Sequence, residues 1–78
     1  MKYRQKVRFT GGALDKIFRM PCVMAIEKYT CADGKPGVRI LVETEEQPSH
    51  IAYPGDSICQ DYEGGWHVRT IEELNEEL

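Results

Sequence analysis

The stretch from His50 to Arg69 contains two tight reversals, at Pro54-Gly55-Asp56 and at Gly64-Gly65, which restrict it to short antiparallel strands. Proline presets the backbone angle of the second turn position, and glycine accepts the positive φ required at the third position of a type II turn. Gly64-Gly65, set between Ile58/Tyr62 and Trp66/Val68, permits the mirror-image turn that suits the twist of paired strands. The segment therefore reads as an antiparallel meander. It constrains architecture and carries no chemistry, because nowhere does the chain assemble a nucleophile with its base, a metal-ligand spacing or a phosphate-cradling loop.

Upstream, Tyr3, Gln5, Val7 and Phe9 alternate with Arg4, Lys6 and Arg8, the period of a strand with one face on a core and one in water. After Gly11-Gly12, Leu14, Ile17 and Phe18 stand at helical spacing, and Pro21 ends that short helix. Cys22 to Ile26 is apolar on both faces, which predicts a strand buried in mid-sheet or covered by a helix, in a central place. Asp33-Gly34-Lys35-Pro36-Gly37 forms a hairpin loop before the alternating Val38, Ile40 and Val42. At the far end, Thr70 and Glu73 make a capping box for a helix whose apolar face carries Ile71, Leu74 and Leu78. These elements predict one compact α+β domain over residues 1–78. Its twisted antiparallel sheet has about five strands and curls toward a barrel, with a short helix after strand one and a C-terminal helix.

Ala52, Pro54, Gly55, Asp56, Ile58, Gly64 and Trp66 resemble a pattern found in small phage and prophage proteins of unknown function. That pattern reads Ala-x-Pro-Gly-Asp-aromatic-Ile, then a glycine and an aromatic pair, then a terminal helix. Tyr3-Arg4, Lys6 and Phe9-Thr10-Gly11 add weaker matches, and Ser57 stands where the pattern has tryptophan or tyrosine. The resemblance implies a mobile-element origin, and with it a bacterial host, whose cytoplasm the cysteine usage favours. It implies no named activity.

At 78 residues the chain has little material for a buried active site. Ten basic against 13 acidic side chains argue against coating a nucleic-acid duplex. The charge is unevenly placed. Residues 1–20 carry Lys2, Arg4, Lys6, Arg8, Lys16 and Arg19 against Asp15, whereas residues 61–78 carry Asp61, Glu63, Glu72, Glu73, Glu76 and Glu77 against Arg69. The first residues hold no apolar signal core, no run approaches a membrane span of about 20 residues, and three unevenly spaced cysteines suit a reducing compartment.

Four functional constellations follow. Cys22, Cys31, Cys59, His50 and His67 offer soft ligands for zinc, yet no pair has knuckle spacing. Cys31 with His50 or His67 offers a thiol site, with Lys28 and Lys35 beside it and Asp33 opposing them. Neither is the expected reading, which assigns no metal, cofactor or catalytic residue. Lys2, Arg4, Lys6 and Arg8 on the outer face of strand one would serve single-stranded nucleic acid as the alternative function. Tyr53, Tyr62, Trp66 and His67 cluster along the meander, and aromatic side chains of this kind anchor protein interfaces. The sequence is thus read as a non-enzymatic interaction protein that binds a protein partner through its exposed sheet or meander surface, as a monomer or weak homodimer.

Overall fold

The Pro54-Gly55 reversal closes as its residues dictate. Asp56 N–H donates to Tyr53 O at 3.0 Å, and Gly55 takes a φ of 99°. In the computed structural model, which describes residues 2–77, this turn does not join paired strands. Its remaining backbone groups pair with Phe9, next to the first strand, instead: Gly55 N–H donates to Phe9 O at 2.9 Å, and Asp56 O accepts from Phe9 N–H at 2.8 Å. The turn is a corner at which the chain leaves one sheet for another.

Six described strands accordingly form two three-stranded antiparallel sheets, not one sheet of five. The first sheet has the order β1 (Tyr3–Arg8), β5 (Ser57–Asp61), β6 (Trp66–Arg69), and the second has β2 (Val23–Thr30), β3 (Pro36–Val42), β4 (His50–Ala52). They do not close into a barrel. A 3-10 turn over Gly11–Ala13 leads into α1 (Leu14–Phe18), and α2 (Ile71–Glu76) follows β6. The α+β character, both helices and the antiparallel pairing stand as expected.

Side chains directly opposite one another in an antiparallel ladder share a face. Ile58, paired with Val7 and Val68, turns the first sheet toward the core, while Ile40, paired with Ala52, does so for the second. With Phe9, Ile17, Met20, Cys22 and Val42 they make one buried cluster. Full burial of each isoleucine contributes about 2 kcal/mol. The other face of the first sheet is also buried, at Ser57, Cys59 and His67, on the side where α2 meets β6. The other face of the second sheet carries Leu41 opposite Ile51, and neither belongs to the core cluster.

Three local expectations are corrected. β2 occupies a sheet edge, not the middle, and Met24 and Ile26 are 55% and 47% exposed. The β5–β6 turn is not a mirror-image turn, because Tyr62 and Glu63 keep negative φ and only Gly64, at 94°, crosses over. β1 shifts register between Tyr3 and Gln5, pairing Tyr3 with Asp61 but Gln5 with Gln60, so Arg4 is an extra residue. Tyr3 therefore lies on the opposite face from Gln5 and Val7. Leu78 lies outside the described residues. No helix of the described chain is long and apolar enough to cross a membrane.

Candidate functional site

The densest polar constellation is built around His67. Its place on β6, opposite Cys59, turns the imidazole onto the face beside α2, where the side chain is only 7% exposed. Asp61, at the end of β5, is fixed by the turn it caps: one oxygen accepts from the amides of Glu63 and Gly65, both at 2.9 Å. Its other oxygen meets His67 Nε2 at 2.8 Å. Gly65 is present for space, since a Cβ there would stand 2.8 Å from Asp61 Oδ2. Glu46 reaches in from the loop after β3 to His67 Nδ1 at 2.9 Å and accepts from Arg69 Nη2 at 2.7 Å on the same oxygen. Arg69 Nε lies 3.7 Å from Glu77 Oε1, which accepts from the Tyr3 hydroxyl at 2.8 Å.

The electrostatics follow from this geometry. Burial disfavours the imidazolium, but hydrogen bonds to Asp61 and Glu46 outweigh it and raise the His67 pKa above its ordinary value. Burial likewise opposes ionisation of Glu46, yet hydrogen bonds from His67 and Arg69 hold its carboxyl at about 2. The hydrogen bond from His67 lowers Asp61, helped by the Gly65 amide. Burial, then the bond to Glu77, pushes Tyr3 up to about 12. With both ring nitrogens donating to carboxylates, His67 is a cationic bracket between two loops. Arg69 Nη2, 3.3 Å from Nδ1, shares Glu46 with it and does not bond it. Neither nitrogen is free to take a proton from a substrate.

The thiols fit no catalytic pairing with these histidines. Cys59 faces His67 across the ladder, but burial lifts its thiol to about 11. Burial lifts Cys22 to about 11 as well. Cys31 sits in the β2–β3 hairpin, where its amide donates to Lys35 O at 2.8 Å, apart from His67 on the first sheet, while His50 on β4 pairs with Val42 at the far end of β3 from that hairpin. Among the described residues no group of three or more His, Cys, Asp or Glu side chains is placed to hold a metal ion. Comparison of the chain with protein-family models, with curated proteins and with solved structures finds no match.

The aromatic set expected on one surface is dispersed. Trp66 and His67 are adjacent on β6 and so face opposite ways, Trp66 packing against the core cluster and His67 lying under α2. Tyr62 projects from the β5–β6 turn at 70% exposure. Tyr53 precedes the corner and belongs to the second sheet's outer face, its ring 5.6 Å from that of Tyr29 at 74°. The basic row is also divided, because the bulge at Arg4 breaks the alternation on which it rests. Lys6 and Arg8, opposite Cys59 and Ser57, project on the α2 side, whereas Arg4 lines a groove with Gln5 and Val7, and Lys2 is exposed ahead of the strand.

The sequence reading missed the outer face of the second sheet. There Ala25, Leu41 and Ile51 lie side by side across three strands. Beside them Arg39 stacks 5.5 Å over Tyr29 and donates to Glu27 at 3.0 Å. This row is visible in the sequence only once the β2–β3–β4 register is known, because its members come from three separate strands.

Proposed function

We propose that the chain is a protein-interaction domain of phage or prophage type, without catalysis of its own, acting inside a bacterial host. Its docking surface is the open edge of β2, where Ile26 stands on the core side opposite Ile40 and Ala25 on the outer face beside Leu41. One observation carries this reading: an eight-residue edge strand exposes Met24 and Ile26 by 55% and 47% while Ile40 and Val42 next to it are wholly buried. Soluble folds blunt long edges with charge, proline, bulges or a covering loop. β2 has Glu27 and Lys28 and a register shift between Val23 and Ala25, and the short apolar stretch Met24–Ile26 is the part left as a template for an added strand. The partner that fits is an extended apolar segment of another protein, with Tyr29 and Tyr53 as flanking aromatic contacts. Of the two surfaces expected, exposed sheet and meander, this reading takes the sheet. Likeness of the Ala52–Trp66 pattern to phage-encoded proteins supports the reading, since small phage proteins commonly act by binding a host or virion component.

The test is affinity capture from a bacterial lysate with the native chain and with a Met24→Lys/Ile26→Lys variant. Both substitutions fall on exposed side chains, so stability should change by no more than about 0.5 kcal/mol each. A partner retained by the native chain and lost by the variant is the expected result. Retention by the variant, with loss on Tyr62→Ala instead, would assign the interface to the meander.

A further inference from the structure

Where β1, α1 and β6 come together, the surface opens into a groove of about 570 Å³ whose rim carries Arg4, Lys16 and Arg19. No aspartate or glutamate lines it. That is unusual for a chain with 13 acidic and 10 basic side chains. The bulge in β1 directs Arg4 here, away from the Lys6 and Arg8 side. Lys16 and Arg19, three positions apart, emerge together from the end of α1. Ion pairs among the described residues engage Arg39, His67 and Arg69, and none engages these three. Three like charges around one depression repel one another, and an anion placed between them removes that repulsion.

The groove also presents groups that an inorganic anion would not use. Trp66, half-buried against the core, forms part of its wall. Gln5 Nε2 donates to Gln60 Oε1 at 2.8 Å, and Gln60 Nε2 donates to Gly64 O at 3.3 Å. This fixes both carboxamides and leaves Gln5 Oε1 without a hydrogen bond among the described residues. An indole wall beside oriented amide donors and acceptors is the chemistry that receives an unpaired nucleobase. An adjoining groove of about 340 Å³, which shares Pro21 and Trp66 with this one, is lined by Glu43 and Glu45. A duplex, with its two phosphate rails, would meet those carboxylates. A single nucleotide unit with its phosphate on the cationic side would not.

We infer that this groove binds a nucleobase-phosphate ligand, with the base against Trp66 within reach of Gln5 and Gln60 and the phosphate among Arg4, Lys16 and Arg19. The ligand is a free nucleotide or one unit of single-stranded nucleic acid. The site stands apart from the β2 docking surface, so either can fail without the other.

Trp66 is the only tryptophan, so its emission reports the site without a label. The protein is titrated at low salt with adenosine 5′-monophosphate, with an oligothymidylate of about ten nucleotides, with inorganic phosphate and with polyglutamate. Saturable quenching by a nucleotide probe is expected, together with weaker responses to phosphate and polyglutamate. If the oligonucleotide binds, the one neutralised phosphate should give a slope of about −0.7 for log affinity against log salt. Tighter binding of the oligonucleotide assigns the site to single strands, and equal or tighter binding of the mononucleotide assigns it to free nucleotides. Arg4→Gln/Lys16→Gln/Arg19→Gln should weaken the response at least about tenfold, while Lys28→Gln/Lys35→Gln leaves it unchanged. Should the triple variant not fold, Arg19→Gln alone, at an exposed position, reads the same loss at smaller size. Absence of quenching by both nucleotide probes at low salt overturns the inference. So does undiminished quenching in the folded variants, or equal displacement by polyglutamate.

Discussion

His67 shows how one side chain can join two loops that share no backbone pairing. Both nitrogens are committed, at 2.9 Å to Glu46 and 2.8 Å to Asp61, so its proton is more tightly held in the folded chain than in the unfolded one. A raised folded pKa means that the stabilisation is complete below the ordinary value of 6.5 and is lost as pH climbs through the folded value. Glu46 runs the other way: its contribution is present above the ordinary 4.5 and is lost as pH falls toward about 2. Both contributions coexist between about 4.5 and 6.5, where urea midpoints should form a plateau with a decline on either side. His67→Gln, which cannot carry the proton, should lower the plateau and flatten the alkaline limb. The acid limb should remain, since Arg69 still holds Glu46. Urea unfolding across a pH series checks this, and an alkaline limb unchanged in the variant would show that the imidazolium is not its source.

At the level of elements, the features legible in the sequence were those set by neighbours in the chain. The capping box of α2 is present in both halves, Glu73 N–H to Thr70 Oγ1 at 3.1 Å and Thr70 N–H to Glu73 Oε1 at 2.8 Å. Thr70→Ala should cost about 1 kcal/mol. Gly64→Ala should cost about 1–2 kcal/mol, because its φ of 94° and not crowding sets the penalty: the nearest foreign atom to an added Cβ is 4.0 Å away. Urea midpoints of the two variants test both figures. Several pattern residues prove to be folding devices in the same local sense: Ala52 and Ile58 are fully buried, and Gly55 and Gly64 hold the positive angles. What the sequence could not disclose depends on distant partners. Nothing near Pro54 reveals that Phe9 will take the Gly55 amide and give its own to Asp56 O, dividing the sheet in two. An apolar run such as Cys22–Ile26 reads alike whether the fold buries it or leaves it for another chain. The bulge at Arg4 is invisible in a perfect alternation, and it decides which cations share a surface.

Seen as a whole, the molecule is layered: α2 covers one face of the first sheet, the core with α1 fills the space between the sheets, and the outer face of the second sheet is uncovered. The layers are unequal in strength. The central core holds Ile17, Ile40, Val42 and Ile58, each 0% exposed, whereas α2 is a six-residue helix with Ile71 43% exposed and Leu74 only half-buried. The three cysteines sample these layers, with Cys22 in the core cluster, Cys59 on the face beside α2, and Cys31 half-exposed in a hairpin. Alkylation requires an exposed thiol, so its rate at each position measures the opening that exposes it. Cys31 should react first. Cys59 should follow by undocking of α2, and Cys22 should react last, by unfolding of the core. Thr70→Ala should then accelerate Cys59 about fivefold, the equivalent of ~1 kcal/mol, while raising Cys22 labelling only as far as global stability falls. Timed alkylation read by peptide mass spectrometry decides it: Cys59 and Cys22 labelling at one common rate in both proteins would mean that α2 and the core open as a single unit.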